Sequence, residues 1–385
     1  MTSIWDDVVG QTVVPSLQAA ASDAAAVVGG AGGASMTHAW LFVGPPGSGR
    51  SVVAKAFAAA LQCSRGGCGS CAECRTARAG THPDVALVST EQLSLKVDDV
   101  RQLVPKASLR PARGRWQVVV VEDADRLTED AVDALLLPLE EPASRTVWML
   151  CAPTAEDLPA TIRSRCRVVA LRTPPPGDVA GRLQAEGVEP AMAAFAARAS
   201  QGHVGRARAL ARDESTRLRR AHVLQLPFGL GDLGSCLSAA AALVAAADAD
   251  AKVRCDLLDT REVDELKRVL GAGTTGVRPR HLGAAVRELE DDQRARRTRT
   301  KRDSIDRALV DLLALYRDVL ILQLDAGGEL VNDELRPSLE RLARASSPEA
   351  SLRRMEAVGA AREAVAANVA PLLALEAMAI QLRLG

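Results

Sequence analysis

Gly44-Pro45-Pro46-Gly47-Ser48-Gly49-Arg50-Ser51 is the stretch on which the fold turns. It follows a short apolar run, Ala39 to Val43, and opens a helical run, Ser51 to Leu61. Strand, glycine-rich turn and helix are the setting of a phosphate-binding loop, where backbone N–H groups converge on phosphate oxygens at a helix N-terminus. The loop departs from GxxxxGK followed by Ser or Thr at one place, because Arg50 stands where a lysine reaches the β- and γ-phosphates. Arginine keeps the charge but replaces a compact ammonium with a broad planar fork. A P-loop ancestry follows; nucleotide binding is left open, and efficient hydrolysis is not expected.

Outward from the loop, apolar β-rich runs alternate with helical stretches as far as about Leu171, which predicts a parallel α/β sheet. The strand candidates are Ala39 to Val43, Asp84 to Val88, Trp116 to Val121, Thr146 to Ala152 and Arg167 to Leu171. The third ends in Glu122-Asp123, as a Mg²⁺-holding strand ends in acids. An active site of this type runs Asp-Glu, so the reversed order again predicts impaired catalysis. Cys63, Cys68, Cys71 and Cys74 crowd into a glycine-rich segment and suit a closed tetrahedral Zn²⁺ site, structural in role. Cys151, Cys166, Cys236 and Cys255 read as small core residues, and His38 and His82 as structural or capping residues.

The prolines of Thr173-Pro174-Pro175-Pro176-Gly177 break the first domain. The expected division is a P-loop-like domain at 1–172 with the cysteine module (63–74) inserted, a three-helix lid at 173–212, and an all-helical collar domain at 213–385. In the last, Ile305, Leu309, Leu312, Tyr316 and Val319 mark an apolar helix face. The basic run Arg294 to Arg302, directly preceded by acids, is open to two readings, a solvated charged face or a phosphate-contacting patch.

Across all 385 residues, Lys+Arg 48 balances Asp+Glu 48, and aromatics make up 2%. A protein that coats nucleic acid by charge, or stacks single-stranded bases, is not expected from that composition. Met1-Thr2-Ser3-Ile4-Trp5 has neither a basic n-region nor an apolar h-region, and the alanine-rich run Ala239 to Ala247 is closed by Asp248 and Asp250. A cytoplasmic chain with no membrane partner is the expectation.

These segments, taken together with Asp7-Val8-Val9-Gly10-Gln11, His38-Ala39-Trp40-Leu41-Phe42, Thr81-His82-Pro83-Asp84, Ala134-Leu135-Leu136, Leu139-Glu140-Glu141-Pro142 and Ser164-Arg165-Cys166, resemble the bacterial clamp loaders of the AAA+ class. Within that class they resemble the delta-prime family of DNA polymerase III subunits. The resemblance is strongest over residues 1–212. It implies an AAA+ P-loop domain, a lid and a helical collar in a hetero-oligomer with tau or gamma and delta subunits. Such an assembly loads the sliding clamp onto primer-template DNA during replication, with this chain as a stator. It also implies that Arg165 acts in trans as an arginine finger for a neighbour's ATP. Ala152-Pro153, Gly205 and Leu137-Pro138 depart from the ATPase members, and Pro138 is expected to perturb its helix. The alternative is an active ATPase of the tau or gamma type; a third reading is a zinc-organised nucleic-acid-binding protein with a vestigial loop.

Overall fold

The computed structural model describes residues 3–30, 35–89, 94–269 and 282–385. The chain divides into two compact units, Met1–Ala211 and Arg212–Gly385. In the first unit, α1 (Val14–Val28) precedes β1 (Ala39–Val43), α2 (Arg50–Gln62) and α3 (Ala72–Ala79). There follow β2 (Val85–Val88), α4 (Val97–Ala107), β3 (Gln117–Val121), α5 (Glu129–Glu140), β4 (Thr146–Ala152), α6 (Ala160–Arg163) and β5 (Arg167–Ala170). The sheet order is β2-β3-β4-β1-β5, with every neighbouring pair parallel. All five strand candidates are therefore present, their ends trimmed by at most one residue.

Strand side chains alternate between faces, and the two faces carry separate cores. Trp40, Phe42, Val118, Val120, Met149 and Cys151 lie in a cluster with Leu17 of α1 and Val53 and Phe57 of α2. Leu41, Val119, Val121, Trp148 and Leu150 lie in the other, with Leu103 of α4, Leu135 of α5 and Ile162 of α6. A sheet covered on both faces needs near-continuous apolar strands, which is why Val118-Val119-Val120-Val121 is wholly buried. Trp40 meets Phe57 edge to face, with ring centroids 4.9 Å apart. Helix α5 runs through Pro138 to Glu140, contrary to the expected perturbation. Pro142 lies just beyond its end, and the exposed Leu137 beside Pro138 packs on no core.

Three helices complete this unit: α7 (Pro176–Ala185), α8 (Pro190–Ala199) and α9 (Val204–Arg212). Val179, Leu183, Ala193, Ala196, Ala207 and Leu210 form their small core. Arg208 grips Glu186 through two nitrogens and Arg182 adds a third bond at 2.8 Å. Arg208, opposed by burial and then helped by Arg182, draws the Glu186 carboxyl down to about 2. That node contributes its full stability above the ordinary carboxylate range and loses it progressively as pH falls from that range to about 2.

The second unit is all helical: α10 (Glu214–Gln225), α11 (Leu233–Val269), α12 (Leu282–Leu324), α13 (Arg336–Ala345), α14 (Pro348–Ala366) and α15 (Pro371–Leu384). Ile305, Leu309, Leu312, Tyr316 and Val319 of α12 are buried with Leu339, Val358, Leu375 and Met378. Among the described residues, α11 is the helix long and apolar enough to cross a membrane, an effect of its alanines; its Cys236, Ala240, Ala247 and Ala251 are buried within this unit.

The basic run on α12 is used inside the molecule. Lys301 pairs with Asp248 at 2.8 Å, Arg297 with Asp256 at 2.5 Å, and the nearly buried Arg296 with Asp259 at 2.7 Å and with Glu262. The order of partners reverses along the two helices, so α11 and α12 lie antiparallel and are laced by charge. Arg294 instead takes Asp291 on its own helix.

A buried polar cluster ties α10 to α12 and to the turn before α13. Arg220, 5% exposed, donates to Glu334 at 2.9 Å, to Asp311 at 3.3 Å and to Asn332. Asp318, fully buried, accepts from the backbone N–H groups of Val331 and Asn332 and from the Asn332 amide. Replacing Arg220 by alanine removes the buried charge that Asp311, Asn332 and Glu334 share, so a loss of about 3–5 kcal/mol is expected. All four tryptophans lie in the first unit, which separates the two readouts. Urea should melt the far-UV helical signal earlier in the variant while leaving the tryptophan fluorescence transition in place; a shared shift, or none, would contradict the assignment.

Candidate functional site

The glycine-rich loop leaves the carboxyl end of β1 and enters α2 through two left-handed glycines, Gly47 at φ +90° and Gly49 at φ +87°. A side chain is excluded at Gly47 twice over, by the positive φ and because a Cβ there would come 2.8 Å from that of His203. His203 stands just before α9, where its Nδ1 accepts the Arg206 N–H at 3.2 Å. One imidazole thus caps α9 and packs it against the loop. Gln11 works from the other side: its amide donates to the carbonyls of Ser48 (2.9 Å) and Arg172 (2.7 Å), and its carbonyl accepts the Arg172 N–H at 3.1 Å. Loop, strand end and hinge are stapled by one side chain.

Within the loop, Arg50 does not extend outward. Its guanidinium turns back and donates to the Gly44 carbonyl at the loop's own entrance. Glu122, at the end of β3, is taken by Lys55 of α2 at 2.6 Å. Asp123 follows at the strand end. Cys151 on β4 lies within the same field; burial first, and Glu122 next, push its thiol up to about 12, so it stays protonated and inert. The Ser48 hydroxyl is buried with no hydrogen-bond partner among the described residues. The predicted residues Gly44 to Ser51, Glu122 and Asp123 are thus assembled at the ends of parallel strands, where open α/β sheets bind ligands. Of these, Arg50 and Glu122 already hold parts of this chain, Gly44 and Lys55.

Arg165 is turned the other way. In Ser164-Arg165-Cys166, the cysteine packs toward the core and burial pushes its thiol up to about 12. The Arg165 side chain is 31% exposed and is held by the Thr161 carbonyl at 2.6 Å, by the Ser164 hydroxyl at 3.3 Å and by the Glu140 carboxylate. Glu140 is the last residue of α5, so Leu139-Glu140-Glu141-Pro142 delivers an acid to the Arg165 guanidinium.

The four cysteines converge. Their sulfurs all lie within 4.8 Å of one another, and Cys63 is 3.7 Å from both Cys68 and Cys71. A tetrahedron of sulfurs about 2.3 Å from a zinc ion has edges of roughly 3.8 Å, so the spacing fits Zn²⁺. Backbone N–H groups of Arg65 and Cys68 point at the Cys63 sulfur, and that of Cys74 at Cys71. The Ser70 hydroxyl, and then the backbone N–H groups of Ser70 and Cys71, draw the half-buried Cys68 thiol down to about 5. This donor set could hold a metal.

The histidines read as structural are built in. His38 bonds the Leu139 carbonyl at 2.9 Å. The buried His82 accepts the Asp84 N–H on Nδ1, so Nε2 carries the proton and donates to Glu73 of α3 at 2.6 Å. Asp84 then takes the backbone N–H groups of Ala112, Arg113 and Gly114, which hold its carboxyl low despite burial. Thr81-His82-Pro83-Asp84 is accordingly a structural device. Lys55 and His203 escaped the sequence reading, because each acquires its partner only when distant segments meet.

A family model described as DNA polymerase III, delta subunit, matches residues 31–175. The chain is 39% identical over 155 residues to DNA polymerase III subunit delta′ of Pseudomonas aeruginosa, covering 39% of this chain and 47% of that protein. It is 35% identical over 244 residues to subunit delta′ of Escherichia coli, covering 61% and 71%. Subunit tau of Escherichia coli is 35% identical over 133 residues, 34% of this chain and 20% of that one. The chain spans about half the length of the first two delta′ relatives, 47% and 59%, the second being from Bacillus subtilis. Among solved structures, a DNA polymerase III gamma subunit-related protein from Thermotoga maritima is similar over 94% of this chain and 98% of its own, at 15% identity and a TM-score of 0.39.

Proposed function

The chain belongs to the delta-prime family of DNA polymerase III subunits, and on that premise we propose that it serves a clamp loader as a stator that hydrolyses no ATP efficiently itself and lends Arg165 to a neighbouring ATPase subunit. Its partners in this reading are tau or gamma and delta subunits, with the sliding clamp and primer-template DNA engaged through the assembly, in the cytoplasm. Zn²⁺ in Cys63, Cys68, Cys71 and Cys74 serves structure alone. The 1–172, 173–212 and 213–385 division supplies the P-loop body, the lid and the collar that joins the other subunits.

One contrast carries the proposal. Arg50 and Glu122 are engaged by Gly44 and Lys55 within the loop and the strand end, whereas Arg165, whose guanidinium bonds Thr161, Ser164 and Glu140, lies in a partly exposed ion pair, its side chain 31% exposed. An ATPase needs the first two free for phosphate and Mg²⁺; a finger needs the third to reach outward. The runner-up, a tau- or gamma-type ATPase, is favoured by the intact left-handed glycines and the unpartnered Ser48 hydroxyl.

Equilibrium binding of a fluorescent ATP analogue to the isolated chain, together with phosphate release, separates the two. Affinity weaker than about 1 mM is expected, less than about 4 kcal/mol of binding, with turnover at background. Micromolar affinity and Mg²⁺-dependent turnover would establish the ATPase reading instead.

A further inference from the structure

The N-terminal segment runs between the cysteine module and the lid and bonds to both. On the module side, the Ile4 N–H and Ser3 hydroxyl donate to the Gly67 carbonyl at 3.0 and 3.1 Å, and the Trp5 indole N–H to the Gly66 carbonyl at 3.1 Å. Gly67, at φ +104°, has no room for a side chain: a Cβ would fall 2.5 Å from Ile4 Cγ2. Asp7 then bridges, with one oxygen 2.7 Å from Arg78 of α3 and the other 3.1 Å from Arg182 of α7. Arg182 also donates to the Asp6 carbonyl at 3.0 Å and passes the chain of charges to Glu186 and so to Arg208 of α9.

Each link on the module side depends on the cysteines. The segment 63–71 turns through three left-handed glycines, Gly66, Gly67 and Gly69, and α3 has eight residues, too short to persist without packing. Nothing in so small an element fixes the Gly66 and Gly67 carbonyls or Arg78 as firmly as four sulfurs on one ion would.

We propose that metal in the four-cysteine module, through residues 3–10 and the Asp7 bridge, sets the rigidity of the lid, so that the module is a remote brace for α7–α9. The proposal rests on the metal reading above but not on the arginine finger. Its consequence suits a stator: the lid is pinned by a metal far along the chain and not by nucleotide in the loop beneath it.

Hydrogen exchange on the full-length chain tests it, comparing the zinc-loaded protein, the chelator-treated protein, and zinc-loaded Asp7→Asn and Arg78→Ala variants. Metal loss should raise exchange in residues 63–80, 3–11 and 176–186, while β3 and β4 stay protected. In Asp7→Asn with zinc bound, 63–80 should stay protected and 176–186 exchange about tenfold faster. Arg78→Ala, which cuts only the module end of the bridge, should move the lid in the same direction. Unchanged lid exchange in both variants overturns the brace, even if chelation unfolds the unit. A purified chain that holds no zinc overturns the metal half alone, and the variants still decide whether Asp7 restrains the lid.

Discussion

Changing Arg165 to alanine should lower the DNA- and clamp-stimulated ATP turnover of a reconstituted loader by about 10³-fold or more, the range that arginine fingers supply elsewhere. The loss is electrostatic. A guanidinium brought to the γ-phosphate stabilises charge as it develops, in a site from which water is largely excluded. The chain itself should not notice, because Arg165 is 31% exposed and its ion pair with Glu140 lies at the surface, worth about 0–1 kcal/mol. Assembly followed by gel filtration should therefore be unaltered. Glu140→Gln keeps the arginine and removes only its counter-charge within the chain, so that loader should stay far closer to the unsubstituted one. Full turnover with Arg165→Ala would refute the finger.

Removing metal from the cysteine module should be the largest single loss of stability available in the first unit. Structural zinc binds small peptides with about 10–16 kcal/mol at neutral pH, and binding energy of that kind is folding energy. Only part of it can appear here, since the sheet has its own core on either face. One zinc per chain is expected by atomic emission. A strong chelator should lower the melting temperature followed by tryptophan fluorescence, because Trp5 donates its indole N–H to Gly66 in the module. Cys74→Ser, at the most deeply buried ligand, should reproduce the shift without chelator. A metal-free chain that melts where the purified one does would rule the structural role out.

Much of the fold could be read from local pattern because the forces behind it are local. Val118 to Val121 announce a strand buried on both faces, and Gly47 and Gly49 announce a turn that needs positive φ. Cys63 to Cys74 are close enough in sequence that their convergence follows from spacing. Arg50 was legible as a departure, but its turn back onto Gly44 was not, since side-chain direction depends on what surrounds it. Lys55 meets Glu122 only when β3 lies near α2, and His203 meets Gly47 only when α9 lies against the loop. In the basic run of α12, Arg294 takes Asp291 beside it in sequence, but Arg296, Arg297 and Lys301 take acids of α11, which no local window contains. Pro138 removes one N–H from the helix ladder, yet α5 continues through it to Glu140.

The lacing of α11 to α12 has a consequence for how this region can change over time. Arg296 faces Asp259 and Glu262, Arg297 faces Asp256, and Lys301 faces Asp248. Reversing the sign at any one of these positions does double harm, since an attraction is lost and a repulsion takes its place. Reversing both partners restores the fit. The two helices are therefore free to drift in composition but not independently, and each substitution on one waits for its answer on the other.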